Sequence, residues 1–214
     1  MKLDGMNSVD TNEMKKNPPI QKIKLGPRTL AYPMPAFLVG AIVDGKPNFM
    51  MAAWGGIACG RPPMISIAIQ HLRFTLRGIQ VGGAFSINIP DEDLLVESDY
   101  CGIATGKKTD KVADCGFDIF YGDSNSAPMI KQAPVNLECI VLKMIDLGSH
   151  VLVIGEITES HISDFCLTNG RPDVEKVKPL IYSDNAYFSI GRNLARAFRI
   201  GKQLKSNENS NKHI

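Results

Sequence analysis

The sequence predicts a mainly β protein: a barrel closed largely by antiparallel pairing, with short helical insertions between some strands. Three observations carry this reading. Ile65, Ile67 and Ile69 alternate with small or polar residues, and Phe85, Ile87 and Ile89 do the same, which is the period of a half-buried strand. The apolar run AFLVGAIV (36–43) meets Asp44-Gly45 and then NFMMAAW (48–54), a hairpin marked by a strong turn dipeptide. Two long segments, Val135–Asp146 and His150–Ile162, flank Leu147-Gly148-Ser149 as a further hairpin. Seven or more strands this apolar need closure, because an open apolar edge recruits another chain.

The elements follow in chain order. Residues 1–19 are polar and end in Pro18-Pro19, and residues 205–214 read KSNENSNKHI. Neither segment has apolar surface to offset its ordering entropy, so both are expected to be unfolded around a single domain over 20–204. A length of 214 residues suits one barrel domain. Trp54 precedes a glycine-rich stretch expected to be a loop, and Gly60-Arg61-Pro62-Pro63 breaks the chain before a strand at 64–70. Thr75 is placed to cap a short helix at 76–81 that Gly82-Gly83 closes. After the strand at 84–89, Asp91 is expected to cap a helix running through Asp99, and a second short helix lies between Asp110 and Gly116. Residues 179–182 and 187–190 are short apolar segments near the end.

Composition narrows the function. The net charge is only +2, with 44% hydrophobic and 21% charged residues, so no strong field draws nucleic acid or an anionic membrane to the whole surface. No apolar run approaches the ~18 residues of a membrane helix, and the N-terminus lacks the apolar stretch of a signal peptide. Cys59, Cys101, Cys115, Cys139 and Cys166 are dispersed without a CxxC pair. Such a set fits free thiols in a reducing cytoplasm better than a disulfide framework.

Several familiar sites are excluded. No GxGxxG follows a strand, and Gly106-Lys107-Lys108-Thr109 lacks the upstream glycine of a phosphate-binding loop. His71, His150, His161 and His213 are far apart and carry no zinc spacing. What remains is a set of unusual residues in plain places. The only tryptophan, Trp54, follows Ala52-Ala53; small residues let a flat ring approach a strand, although a lone aromatic more often fills a core. Arg73 and Thr75 open a helix, where a planar fork, a hydroxyl and free N–H groups suit a phosphate; the plain alternative is a surface arginine and an ordinary cap. The stretch TGKKTDK (105–111) holds three lysines, whose usual fate is a solvated loop. His150 begins an apolar strand, where histidine is more often structural than catalytic.

Taken in order, NFMMAAW, PPMISIAI, HLRFT, AFSINIP, ATGKKTDK and the late histidine-bearing strand resemble the flavin reductase-like FMN-binding split barrels, and within them the flavoredoxin group. The resemblance spans residues 33–191 and rests on order and spacing rather than on one motif. It implies a Greek-key split β-barrel and a noncovalent FMN at a homodimer interface. It further implies that Asn48, Met50, Ala52, Ala53 and Trp54 line the flavin and its ribityl side, that Arg73 and Thr75 hold the phosphate, and that Lys111 and His150 approach the ring and tail. Tyr187 flanks the site, with Tyr182 or Phe188 as alternatives after a small loop shift. The flavin does the redox chemistry while the protein binds, orients and tunes it, so no general acid or nucleophile is nominated. A Lys111 or His150 cation beside the ring would raise its potential.

Three functions stay open: a flavin or substrate reductase using NAD(P)H, an electron carrier serving a redox partner protein, and a cofactor-free interaction module. Retention of Trp54, Arg73, Thr75 and Lys111 weighs against the third. No nicotinamide signature separates the first two. A homodimer is also expected because the apolar length of 36–54 exceeds what one side of a small barrel buries.

Overall fold

In a computed structural model of the chain, residues 20–124, 126–202 and 204 are described. The segments expected to be unfolded, 1–19 and 205–214, lie outside the described residues. The chain forms two units, Met1–Ala31 and Tyr32–Ile214. In the first, residues 20–31 carry no strand or helix. All regular elements among the described residues belong to the second.

The strands are β1 (Met34–Pro35), β2 (Phe37–Val43), β3 (Lys46–Ala52), β4 (Gly55–Gly60) and β5 (Pro63–Gln70). After helix α1 (Phe74–Gly82) come β6 (Ala84–Ile89), α2 (Leu95–Ile103) and α3 (Lys111–Asp114). The short β7 (Ile119–Phe120) and β8 (Met129–Ile130) precede the long β9 (Val135–Asp146) and β10 (His150–Ile162). The chain ends through β11 (Leu167–Thr168), β12 (Arg171–Pro172), α4 (Val174–Val177), β13 (Ile181–Ser183) and β14 (Ala186–Phe188).

Seven strands form one antiparallel sheet in the order β3-β2-β6-β9-β10-β5-β4. The β2–β3 hairpin turns at Asp44 and Gly45, whose φ values of 51° and 80° are both left-handed. That pair of angles matches the right-handed twist of the flanking strands. The sheet curls around a cluster that includes Val39, Met50, Ile65, Ile67, Phe85, Ile87 and Val153. Each such side chain contributes about 1.5–3 kcal/mol on burial. Leu76 and Ile79 of α1 join the same cluster. Gly78 lets the helix lie directly on β2, since a Cβ there would overlap the backbone oxygen of Ile42. The sheet's edges, β3 and β4, are connected by Ala53 and Trp54 rather than by a ladder. The barrel is therefore split at that point, and the split is where the candidate site lies.

The fold corrects several expectations. The glycine-rich stretch after Trp54 is strand β4, paired with β5 from Gly55↔Ile67 to Gly60↔Pro63. An edge strand needs only its backbone groups to join a ladder, so glycines do not bar it. Thr75 is not a cap: Arg73 holds the N-cap position of α1, and Thr75 sits inside the helix, buried. Asp91 occupies the N-cap of a 3-10 turn at Glu92–Leu94 with no capping bond from its side chain, and α2 follows at Leu95 and runs past Asp99 to Ile103. Asp110, by contrast, does cap α3, accepting from the N–H groups of Val112 and Ala113.

The apolar length of 36–54 also finds a different explanation. One face of β2 and β3 fills the barrel, while Leu38 and Phe49 pack on the other side against Leu94, Cys101, Phe117 and Ile130. Both faces are covered within one chain, so this stretch gives no argument for a dimer. No helix among the described residues is long and apolar enough to cross a membrane. All five cysteines are free.

Candidate functional site

Three cavities adjoin one another through shared lining residues, beginning at the split. The first, of about 360 Å³, is a slot between the end of β3 and the end of β5; Met50, Ala52, Ala53, Trp54, Ala68 and His150 are among its walls. The second, of about 230 Å³, shares Met50, Gln70, Arg73 and Ile103 with the slot and adds Thr75 and Lys111. The third, of about 550 Å³, shares Phe74, Gly106 and Lys111 with the second.

The slot's outer end is aromatic. Trp54 is 42% exposed, so it does not plug the barrel as a core residue would. Its indole stacks on the His150 imidazole, with centroids 4.6 Å apart and planes 23° from parallel. The β10–β5 ladder sets His150 opposite Gln70, and the Trp54 carbonyl accepts from Ala68 N–H at 2.7 Å. Backbone pairing thus brings together two rings nearly a hundred residues apart. His150 Nδ1 is paired with Ser149 Oγ at 2.8 Å.

The C-terminal hairpin β13–β14 supplies a further wall. Tyr182 and Tyr187 both line the slot and meet edge to face, 5.6 Å between centroids. The Tyr187 hydroxyl donates to Asp99 Oδ1 at 3.2 Å, tying the hairpin to α2. Burial, followed by the neighbouring Asp99 carboxylate, pushes the Tyr187 phenol above its usual range, which keeps it a donor. Phe188 is 52% exposed and is not among the slot's lining residues. Of the three aromatics weighed for this position, both tyrosines reach it.

The inner end is polar and buried. Asn48 Nδ2 donates to Thr75 Oγ1 at 2.7 Å, which leaves the threonine O–H free to donate elsewhere. Gly106 presses against Asn48, where a Cβ would overlap Oδ1. Arg73 donates to the Gly102 carbonyl at 2.8 Å. Lys111 is not a solvated loop lysine: it opens α3, is 4% exposed, and its ammonium donates to the carbonyls of Phe49 and Cys101 at 2.9 and 3.0 Å. Lys107 and Lys108 do remain exposed.

No carboxylate lines the second cavity, whereas Arg73 and Lys111 both do. Burial pulls the Lys111 ammonium below the ordinary lysine range, and Arg73 adds in the same direction. The adjacent Cys101 thiol is no counter-ion, because burial pushes it up to about 12. An ammonium and a guanidinium thus face a cavity that supplies no internal anion, an arrangement with the chemistry to accept one from outside.

Of the ten residues singled out from the sequence, Met50, Ala52, Ala53, Trp54, Arg73, His150 and Tyr187 line the slot, Thr75 and Lys111 line the second cavity, and Asn48 lines the third. The sequence reading missed Gln70, Asp99, Gly102 and Ile103, which also line the slot. Asp99 and Gly102 lay within or just beyond a recognised helix, but nothing in their spacing showed which face meets the barrel.

Residues 29–191 match the model of the flavin reductase like domain, and the chain belongs to that family. It is similar to the flavoredoxin of Methanosarcina acetivorans, with 36% identity and a TM-score of 0.83 over 86% of this chain and 100% of that one. The flavoredoxin of Desulfovibrio vulgaris (Miyazaki F) is 39% identical, with a TM-score of 0.80 over 85% of this chain and 100% of that one. An uncharacterised protein of Archaeoglobus fulgidus is 30% identical over 76% of this chain and 87% of its own length. The split-barrel class is thus that of the chain.

Proposed function

We propose that this protein binds FMN noncovalently and works as a flavin-dependent oxidoreductase of the flavoredoxin kind. The observation that carries the proposal is the carboxylate-free cavity of Arg73, Thr75 and Lys111 opening off a flat slot. A phosphate-tailed planar ring needs that sequence of surfaces: an apolar slot, a few donors at its polar edge, and a cationic pocket. The residues present fit it. Met50, Ala52, Ala53 and Trp54 form the slot, and Asn48 holds Thr75 in place. Arg73, the free O–H of Thr75 and the unused third N–H of Lys111 receive the phosphate or the tail. His150 and Tyr187 bound the ring's outer side.

Bound FMN supplies hydride and electron transfer at its ring N5. The chain's own residues bind, orient and tune. Lys111 carries a positive charge into the site at a fixed position, since two carbonyls hold its ammonium. His150 sets a titratable ring against Trp54. Purified protein incubated with FMN should turn yellow and release intact flavin on heating. A colourless protein that takes up no added FMN overturns the proposal.

NAD(P)H is the electron donor in this reading, with a protein redox partner as the second possibility. Mixing FMN-loaded protein with NADH or NADPH without air separates them, because direct reduction bleaches the flavin. The proposal also includes a homodimer, supported by the exposed apolar side chains of Ile57, Ile140 and Leu142. Light scattering that returns a single 23.4 kDa chain at micromolar concentration would count against it. Free cysteines support a reducing, cytoplasmic setting.

A further inference from the structure

The third cavity, about 550 Å³, lies between the β2–β3 turn, α1 and residues 106–111. Its charged walls are Lys46, Arg77, Lys107, Lys108 and Lys111 against two acids, Asp44 and Asp110. Both acids are committed. Asp44 pairs with Arg77 at 2.8 Å, and Asp110 Oδ1 accepts from the N–H groups of Val112 and Ala113, each at 3.2 Å. Lys46, Lys107 and Lys108 form no ion pair among the described residues. Three uncompensated ammonium groups therefore rim one concavity, where low-dielectric walls concentrate their field.

We propose that this cavity binds a small phosphorylated ligand carrying at least two negative charges, at the same time as the flavin. Its shape favours a small molecule over a protein surface. The volume lies in the range of small-molecule pockets, roughly 300–1,000 Å³, and the floor is formed by buried Asn48 and partly buried Phe74. The shared chemistry is phosphate, and free pyrophosphate and a nucleotide are its two sources. In the nucleotide case the Phe74 ring offers the base an aromatic wall. The site stands on its own side chains; that it is a second anion site, not the first, rests on the flavin reading above.

The test uses the full chain, with and without FMN, titrated calorimetrically with inorganic pyrophosphate and with ADP at low ionic strength. One equivalent should bind per chain, weaken as salt is added, and leave the flavin in place. Tighter binding of ADP than of pyrophosphate marks a nucleotide site, and equal binding marks a phosphate site. The triple variant K46Q/K107Q/K108Q should bind pyrophosphate at least about tenfold more weakly, with FMN affinity unchanged. Failure of both anions to bind overturns the proposal, as does undiminished binding by the triple variant. Displacement of FMN by pyrophosphate would show this cavity to be the flavin phosphate's own, and would also overturn it. If the chain takes up no flavin yet binds pyrophosphate through these lysines, the flavin reading fails and the anion site stands.

Discussion

The two ends of the site are built differently. At the outer end Trp54 and His150 are held by ring stacking at a partly open surface. At the inner end Asn48, Thr75 and Lys111 are buried and held by hydrogen bonds to one another's elements and to main-chain carbonyls. A stacked, exposed pair can shift at small cost. A buried polar group cannot move without leaving donors or acceptors unpaired, which costs about 1–3 kcal/mol each. The inner end should therefore fix affinity and phosphate specificity, and the outer end should tune the redox behaviour.

The strongest test is Lys111→Met. It strips donors from the carbonyls of Phe49 and Cys101 and removes a cation from the second cavity. FMN affinity should drop by more than about two decades, and heat unfolding of the flavin-free protein should come earlier. Unchanged FMN affinity would place the phosphate elsewhere. The wild type carries a pH signature as well. Burial lowers the folded-state value of Lys111, so between that value and the ordinary lysine range the unfolded chain binds more protons and stability rises with pH. A bound phosphate favours the charged ammonium. FMN affinity should accordingly weaken as pH climbs through that window, measured by fluorescence titration, and Lys111→Met should lose the dependence.

Arg73→Ala comes next. Only FMN has the terminal phosphate, and a charge-assisted contact is worth roughly 1.5–3 kcal/mol. FMN should weaken by one to two decades while riboflavin changes little. Equal losses for the two flavins would show that Arg73 does not touch the phosphate. Thr75→Val should do less: it leaves Asn48 Nδ2 without its acceptor and should lower stability by about 1–3 kcal/mol, visible as a lower unfolding midpoint in denaturant.

The smallest effect on stability, about 1 kcal/mol or less, belongs to His150→Asn. Its readout is the midpoint potential. A protonated imidazole beside a reduced, negatively charged ring favours reduction. The wild type should show a pH-dependent component that the variant lacks. Superimposable spectroelectrochemical curves from pH 5.5 to 8.5 would make His150 a structural residue and erase the contrast between the two ends.

How much of this was legible before the fold was known depends on the range of the interaction. The Asp44-Gly45 hairpin, the bounds of β9 and β10, and the cap at Asp110 are local, set by turn chemistry and side-chain period within a few residues. The sequence by itself thus determined the strand texture, most element positions and, through residue order, the family. It misled where local signals met a tertiary competitor. Thr75 looks like a cap, yet it sits inside α1 and its hydroxyl oxygen accepts from Asn48 on β3. Gly55–Gly60 looks like a loop until β5 offers it a ladder. Lys111 reads as one of three loop lysines, and only packing separates it from Lys107 and Lys108. The Trp54–His150 stack, the ammonium on two carbonyls and the cation-lined cavities were decided by the tertiary structure alone. Each depends on residues far apart in sequence, held in place by the register of a curled sheet.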